Sequence, residues 1–160
     1  QVDAYYTPLN AQTDASLREA FIRIAETADE DPRIQVEGRE LKALRKAGTI
    51  IWFDFATLCG GPRSQNDYLE IASRFHTVIL SGIPMMSAGQ SSEARRFTWL
   101  IDVFYDQKVK LIMSAEVAPD ELYTTGMLAN EFHRTVSRIV EMQSREYMEK
   151  EQRGVAAALS

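Results

Sequence analysis

The sequence contains one cysteine and no apolar run long enough to cross a membrane. Because Cys59 is the only cysteine, an intrachain disulfide is excluded, and a reducing compartment is the natural setting. A transmembrane helix needs about 20 consecutive apolar residues. The apolar stretches around residues 78–80 and 109–113 have the length of buried strands instead. We therefore expect a soluble protein.

Basic residues are too few for a general nucleic-acid-binding surface. The chain has 18 Lys and Arg against 23 Asp and Glu, which gives a formal net charge of −5. Binding along a phosphate backbone normally requires a basic excess. We therefore expect no nucleic-acid partner, although a local basic groove is compatible with this composition.

Two families of ligand-binding motif are also absent from the sequence. No G-x-x-x-x-G-K-[ST] occurs, so the chain has no Walker A motif with which to bind ATP. No pair of Cys, His or carboxylate side chains has the spacing of metal ligands around a loop, so no metal site is predicted.

The chain begins with Gln1 and shows no signal-like region after it. We interpret it as a piece of a longer protein.

The residues that are present indicate one globular domain. Of the 160 residues, 45% are hydrophobic, and a chain of this mass buries about 70% of its unfolded surface. We predict a single domain over residues 1–153 and a flexible tail over residues 154–160.

Strand and helix patterns alternate along the chain. Helical spacing predicts a helix over residues 14–28, with Ser16 and Glu19 in a capping box and Pro32 beyond its end. Residues 34–36 and 41–46 predict a hairpin that turns at 37–38, although 40–46 also suits a helical turn. Further strands are predicted at 50–55, 77–80 and 109–114. Further helices are predicted from the S-x-x-D start at Ser64 and at 92–106, 119–123 and 130–152.

This order of elements predicts an α/β fold. We expect a small, mostly parallel sheet with right-handed crossovers, an N-terminal helix and hairpin, and a long C-terminal helix. In open parallel sheets, ligands bind beyond the carboxyl ends of the strands. Those ends lead here into residues 56–66, 81–91 and 115–119. The polar candidates there are Asp54, Cys59, Arg63, Ser64, Ser81, Glu116 and Asp120.

The loop of Gly60, Gly61, Arg63 and Ser64 is the most suggestive of the three. Glycines let backbone N–H groups approach an anion, and the helix start that follows favours negative charge. The alternative is a plain turn between a strand and a helix. Cys59 in this loop is not predicted to be a nucleophile, because only three residues separate it from Arg63 and no histidine forms a triad pattern with it. Burial as a small core residue suits it better.

Arginines are the second signal. Arg95 and Arg96 open a predicted helix, and Arg134 and Arg138 lie one turn apart on another. Arginine makes forked contacts with phosphate or carboxylate. The alternative is ion pairing on a solvated helix, with Glu131, Glu141 and Glu146 as the partners.

Three stretches of the sequence also carry a family resemblance. They lie at residues 53–69, 94–112 and 132–147 and read FDFATLCGGPRSQNDYL, ARRFTWLIDVFYDQKVKLI and FHRTVSRIVEMQSREY. In order, spacing and residue identity, the chain resembles the C-terminal part of the ZapE-type AAA+ ATPases over residues 5–147.

The resemblance implies a set of properties for the full-length protein. They are ATP hydrolysis with Mg²⁺, a bacterial cytoplasmic location, and a role in cell division through FtsZ. The Walker motifs should then lie in an upstream ATPase half, and this chain should be inactive alone while supplying the lid side of the nucleotide site. Arg95, Arg96, Arg134 and Arg138 become candidates for sensing phosphates. A homo-oligomer and membrane-protein clients are further expectations.

A second hypothesis is of a different class. These residues could instead form an adaptor domain that docks FtsZ or client proteins without nucleotide. An independent enzyme with a phosphate loop at residues 59–64 is a third hypothesis, and it ranks last.

Overall fold

The structure is a computed structural model and describes residues 3–149 of the chain. The strands of this part are β1 (Tyr5–Tyr6), β2 (Arg33–Val36), β3 (Arg39–Lys42), β4 (Arg45–Ala47), β5 (Ile50–Asp54), β6 (Thr77–Ile83) and β7 (Lys110–Ala115). The α-helices are α1 (Ala11–Ile24), α2 (Phe55–Cys59), α3 (Gln65–Arg74), α4 (Ser91–Gln107), α5 (Phe132–Met142) and α6 (Arg145–Glu149). Short 3-10 helices occupy Ala88–Gln90, Pro119–Glu121 and Ala129–Glu131.

A five-stranded sheet in the order β1-β7-β6-β5-β4 forms the centre of the fold. The first four strands of that order run parallel, and β4 pairs antiparallel with β5. Strand β5 is an almost continuous buried apolar run, which is the pattern of a strand covered on both faces. The fold is therefore α/β with a mostly parallel sheet, as the alternating pattern predicted.

Both faces of the sheet are covered. Alternate residues of a strand point to opposite faces, so Ile50 and Trp52 pack with Leu17 and Phe21 of α1 on one side. On the other side, Ile51 and Phe53 join the larger core cluster, to which the hairpin β2–β3 and helices α2 to α6 contribute. Among the helices of residues 3–149, none has both the length and the apolar character needed to cross a bilayer.

The N-terminal helix begins and ends earlier than its spacing predicted. Helix α1 starts after Asn10, whose side chain accepts a hydrogen bond from the Thr13 N–H at 2.9 Å. The Thr13 hydroxyl oxygen in turn accepts a hydrogen bond from the Asn10 backbone N–H. The capping box predicted for Ser16 and Glu19 is therefore wrong, because a better-placed Asx cap lies one turn and a half upstream.

The predicted hairpin is confirmed, but its second strand ends at Lys42. The chain then bends at residues 43–44 and forms β4, which pairs with β5 in the main sheet. The helical turn considered for residues 40–46 is wrong. Strand periodicity could not separate β3 from β4, since both segments are short and polar on one side.

The predicted C-terminal helix over residues 130–152 is wrong as one element. A 3-10 turn at Ala129–Glu131 precedes α5, and the chain breaks at Gln143 and Ser144 before α6. The break turns Tyr147 into the core, where its hydroxyl lies 2.6 Å from the Val109 carbonyl oxygen. The loop expected to begin at residue 81 begins later, because β6 continues to Ile83. The predicted tail at 154–160 lies outside the described residues.

Candidate functional site

A pocket of about 420 Å³ lies where β3, the start of α3 and the first half of α4 meet. We call it the arginine pocket, because its lining includes four arginines: Arg39, Arg63, Arg95 and Arg96. Ser64, Asp67, Ser92 and Trp99 complete most of the wall. The pocket joins two groups of residues that the sequence placed in separate candidate sites, the loop with Arg63 and Ser64 and the helix start with Arg95 and Arg96.

Asp67 is the one acidic residue in the lining, and it is 1% exposed. One carboxylate oxygen accepts hydrogen bonds from the Ser64 backbone N–H at 2.7 Å and the Ser64 hydroxyl at 3.2 Å. The other lies 3.4 Å from Nη2 of Arg39 and 3.9 Å from Nη1 of Arg63. Asp67 thus starts α3 and holds two of the arginines at the pocket.

Arg63 and Arg96 are anchored by backbone carbonyls at the end of α2. Arg96 donates from Nε to the Cys59 carbonyl oxygen at 2.7 Å, and Arg63 donates from Nε to the Thr57 carbonyl oxygen at 3.3 Å. Their side chains are 17% and 13% exposed. Nη1 of Arg63 is buried and has no hydrogen-bond partner among the described residues. The Asp67 carboxylate oxygen at 3.9 Å is close enough to this nitrogen for an ion pair but too far for a hydrogen bond.

Arg95 and Arg39 face solvent. Arg95 is exposed and makes no hydrogen bond or ion pair that fixes its guanidinium within residues 3–149. The Arg39 side chain is 48% exposed and has one long contact, with Asp67. These two arginines are free to move onto a ligand, whereas Arg63 and Arg96 are held in place.

Only part of the glycine loop is available to an anion. The loop follows the short helix α2, which the sequence did not predict. Asp54 caps this helix, since its side chain accepts a hydrogen bond from the Thr57 N–H at 2.8 Å. The Gly60 N–H donates to the Ala56 carbonyl oxygen at 2.9 Å and closes that helix. The expected direct passage from strand to anion loop is therefore wrong, because α2 lies between them and uses the Gly60 amide.

Cys59 is completely buried behind the pocket. Burial raises the pKa of its thiol to about 12, well above its usual value. The Tyr68 hydroxyl lies 3.8 Å from Sγ and donates to the Leu58 carbonyl oxygen at 2.6 Å. Cys59 is therefore a core residue and not a nucleophile.

The remaining candidate arginines lie outside the arginine pocket. Arg138 forms an ion pair with Asp102 and lies 5.2 Å from the centre of the Tyr105 ring, so it joins α5 to α4. Ion pairing, the alternative to phosphate sensing for this helix, is therefore found at Arg138, but with Asp102 rather than with Glu131, Glu141 or Glu146. Arg134 is exposed on α5 and lies outside the lining of the arginine pocket.

The polar candidates at the other strand ends serve local structure. Ser81 accepts from the Trp52 indole N–H at 3.0 Å, and Glu116 accepts from the Met85 N–H at 2.8 Å. Asp120 is exposed in the 3-10 turn at Pro119–Glu121. Within residues 3–149, no three His, Cys, Asp or Glu side chains group closely enough to hold a metal ion.

The arginine pocket can bind an anion with several oxygen atoms. Four guanidinium groups against one lining carboxylate leave an excess of positive charge, and this excess lies on a chain whose net charge is −5. Sequence reasoning missed Arg39, since it is one of several exposed charges on a hairpin. It also missed that Asp67, recognised as part of a helix start, faces the arginines. No local pattern links residues 39, 67 and 95.

Comparisons with known proteins match almost the whole chain. The AFG1-like ATPase family matches residues 1–151. The chain is 38% identical over 152 residues to the cell division protein ZapE of Escherichia coli K12, an alignment that covers 94% of this chain and 40% of that protein. It is 38% identical over 149 residues to lactation elevated protein 1 homolog B of Danio rerio, which covers 72% of this chain and 30% of the relative. The chain thus spans less than half the length of the curated relatives it matches. No solved structure matches it.

Proposed function

The chain belongs to the AFG1-like ATPase family, and we propose that it forms the C-terminal portion of an enzyme that hydrolyses ATP with Mg²⁺. The Walker motifs are then supplied by residues outside these 160, and the chain alone does not turn over ATP. Its similarity to a protein named for cell division supports a role in that process.

The arginine pocket is the feature of the structure that supports a role for this chain in ATP hydrolysis. Charge develops on the phosphoryl oxygens during transfer, and arginine side chains placed against those oxygens stabilise it. Arg63 and Arg96 are held by carbonyl oxygens of α2 and so are already oriented. We propose that this pocket lies against the phosphates of ATP bound by the rest of the enzyme or by a neighbouring copy.

Arg95 is the best candidate for direct phosphate contact. It is exposed and lies at the pocket without a fixed partner. Arg96 instead forms an ion pair with Glu93 at 3.7 Å and supports the wall of the pocket. Arg134 and Arg138 were also candidates, but Arg138 is engaged by Asp102 and Arg134 lies outside the lining.

The test compares two exposed arginines in the longer protein that contains this chain. We expect Arg95→Ala to lower ATP turnover by about tenfold or more, and Arg134→Ala to leave it within about twofold of the wild type. Both variants should keep the free energy of unfolding within about 0.5 kcal/mol, since neither side chain has a fixed partner. Wild-type turnover in Arg95→Ala and in Arg96→Ala would contradict the assignment.

The pocket can also be tested on the 160-residue chain. Sodium tripolyphosphate presents the same oxygens without a base or sugar, and a ligand that binds only the folded state raises the melting temperature. We expect a rise that disappears in Arg95→Ala and persists in Arg134→Ala. Equal rises in both variants would place the anion elsewhere on the surface.

FtsZ is the proposed partner in cell division, and the proposed location is the bacterial cytoplasm. Homo-oligomerisation and membrane-protein clients are proposed for the full-length protein on the same family basis. Co-sedimentation of the longer protein with FtsZ polymers tests the first of these proposals. Protein that stays in the supernatant at every FtsZ concentration would exclude it.

A further inference from the structure

A second pocket, of about 380 Å³, adjoins the arginine pocket across α4. One wall consists of Ala94, Thr98 and Trp99 of α4, and the other comes from Tyr123 and Phe132. Met127 and Leu128 also line it, and they are 65% and 56% exposed. We call this pocket the apolar groove. Because Arg95 and Trp99 line both pockets, the two cavities share one ridge of α4.

The segment that carries Met127 and Leu128 is built to hold them in this position. The buried Tyr123 donates its hydroxyl hydrogen to the Met127 carbonyl oxygen at 2.5 Å. Gly126 has φ +103, and a Cβ there would lie 2.8 Å from Cα of Ala88 and from the Tyr123 hydroxyl oxygen. The backbone of this segment is therefore fixed by the core, although its apolar side chains are in solvent.

Leu128 is in a backbone conformation that leucine disfavours. Its φ is +63, in the left-handed region where Cβ crowds the following carbonyl and where glycine is preferred. A strained residue that is also exposed gains no burial in return. Strain that persists at an exposed apolar side chain points to a function outside the folding of the chain.

The charges of the groove indicate what kind of partner fits. Arg95 and Glu131 line it from its two walls, yet no ion pair joins them or fixes either one within the described residues. Beyond Arg95 lie the other three arginines of the adjoining pocket, so the α4 side is strongly positive. A ligand of the groove should therefore be apolar where it meets Met127 and Leu128 and acidic where it meets α4.

We propose that the apolar groove binds a short peptide segment of a partner protein, with a large apolar side chain as its anchor and acidic residues beside it. An aromatic or aliphatic anchor in a pocket flanked by flexible methionine is a common basis of peptide recognition. The acidic residues pair with the arginine side of α4. Because Arg95 lines both pockets, a bound peptide and a phosphate chain would compete for this side chain.

The probe is a displayed library of random twelve-residue peptides, panned against the 160-residue chain. Enriched peptides are synthesised with a fluorescent label, and their dissociation constants are measured by anisotropy. We expect them to share a large apolar residue and a net negative charge, and to bind at least tenfold more weakly when their acidic residues are replaced by lysine.

Three variants separate docking from folding. Leu128→Gly removes the strained side chain, so it should weaken the peptides at least tenfold without lowering the melting temperature. Met127→Ser should weaken them as well. Met85→Ser is the matched control, because Met85 is also an exposed methionine, at 55%, and lies outside the groove lining. Peptides that bind Leu128→Gly and Met127→Ser as tightly as the wild type would overturn the proposal. A library that yields no peptide tighter than its scrambled version would overturn it too.

Discussion

At the scale of single residues, Asp67 has the widest influence on the candidate site. It is buried, it accepts the backbone N–H that starts α3, and it is the closest negative charge to Arg39 and Arg63. A buried carboxylate is stable only when its oxygens are paired. The residue that begins the helix therefore also keeps the arginines of the pocket together.

Replacing Asp67 by asparagine preserves its size and removes its charge. We expect Asp67→Asn to lower the free energy of unfolding by about 1–3 kcal/mol, since charged hydrogen bonds weaken and two arginines lose their carboxylate. Urea unfolding followed by circular dichroism measures the change. Asp106→Asn is the control, because Asp106 is exposed on α4, and its effect should stay below about 0.5 kcal/mol. Equal effects of the two substitutions would show that Asp67 is not a special position.

At the scale of elements, the short helix α2 determines how the pocket is built. Its last carbonyl groups hold Arg63 and Arg96, and its end is closed by Gly60. A Cβ on Gly60 would lie 2.6 Å from the Ala56 carbonyl oxygen, whereas a Cβ on Gly61 would have no atom within 4 Å. The packing thus requires glycine at position 60, whereas it leaves room for a side chain at position 61.

This difference predicts opposite outcomes for two neighbouring substitutions. Gly60→Ala should cost about 1–3 kcal/mol of folding free energy, because the new methyl group overlaps backbone that cannot rotate away. Gly61→Ala should be neutral or slightly stabilising, since it restricts only the unfolded chain. The two midpoints of urea unfolding decide the matter, and a Gly60→Ala protein as stable as Gly61→Ala would refute the packing argument.

The sequence predicted the elements whose pattern is strong and local. Strands β5, β6 and β7 were expected from their apolar runs, and α3 and α4 from helical spacing and the start at Ser64. The predictions were wrong where contacts between residues far apart in the sequence determine the local structure. The chain breaks before α6 because Tyr147 reaches a carbonyl of the α4–β7 connection, a partner that helical periodicity does not contain.

At the scale of the whole molecule, the site itself was only half visible in the sequence. The motif at residues 63–64 and the arginines at 95–96 were each noticed, but as separate candidates. Their meeting depends on how α3 packs against α4, and Arg39 arrives from a hairpin that belongs to another sheet. A pocket assembled from three distant segments has no signature along the chain.

The two core clusters should unfold together. Each is built on alternate residues of the same strands, so neither persists when the sheet is lost. Trp52 is buried beneath α1, and Trp99 is on α4, so they report on opposite sides of the sheet. We expect Trp52→Phe and Trp99→Phe each to give one transition, with coincident fluorescence and circular dichroism curves. Separated curves in either variant would show that one cluster melts independently.

The pairing of β1 with β7 has a consequence for synthesis on the ribosome. Tyr5 lies opposite Met113 at the edge of the sheet, so within residues 3–149 the strand nearest the N-terminus pairs with the strand nearest the C-terminus. At the usual pace of translation, roughly 5–20 s pass between the appearance of these two residues. During that interval the nascent β1 has no partner strand in this sheet, while β5 and β6 can already pair behind it. Among the strands of this sheet, β1 is therefore the one that waits longest for its partner during synthesis.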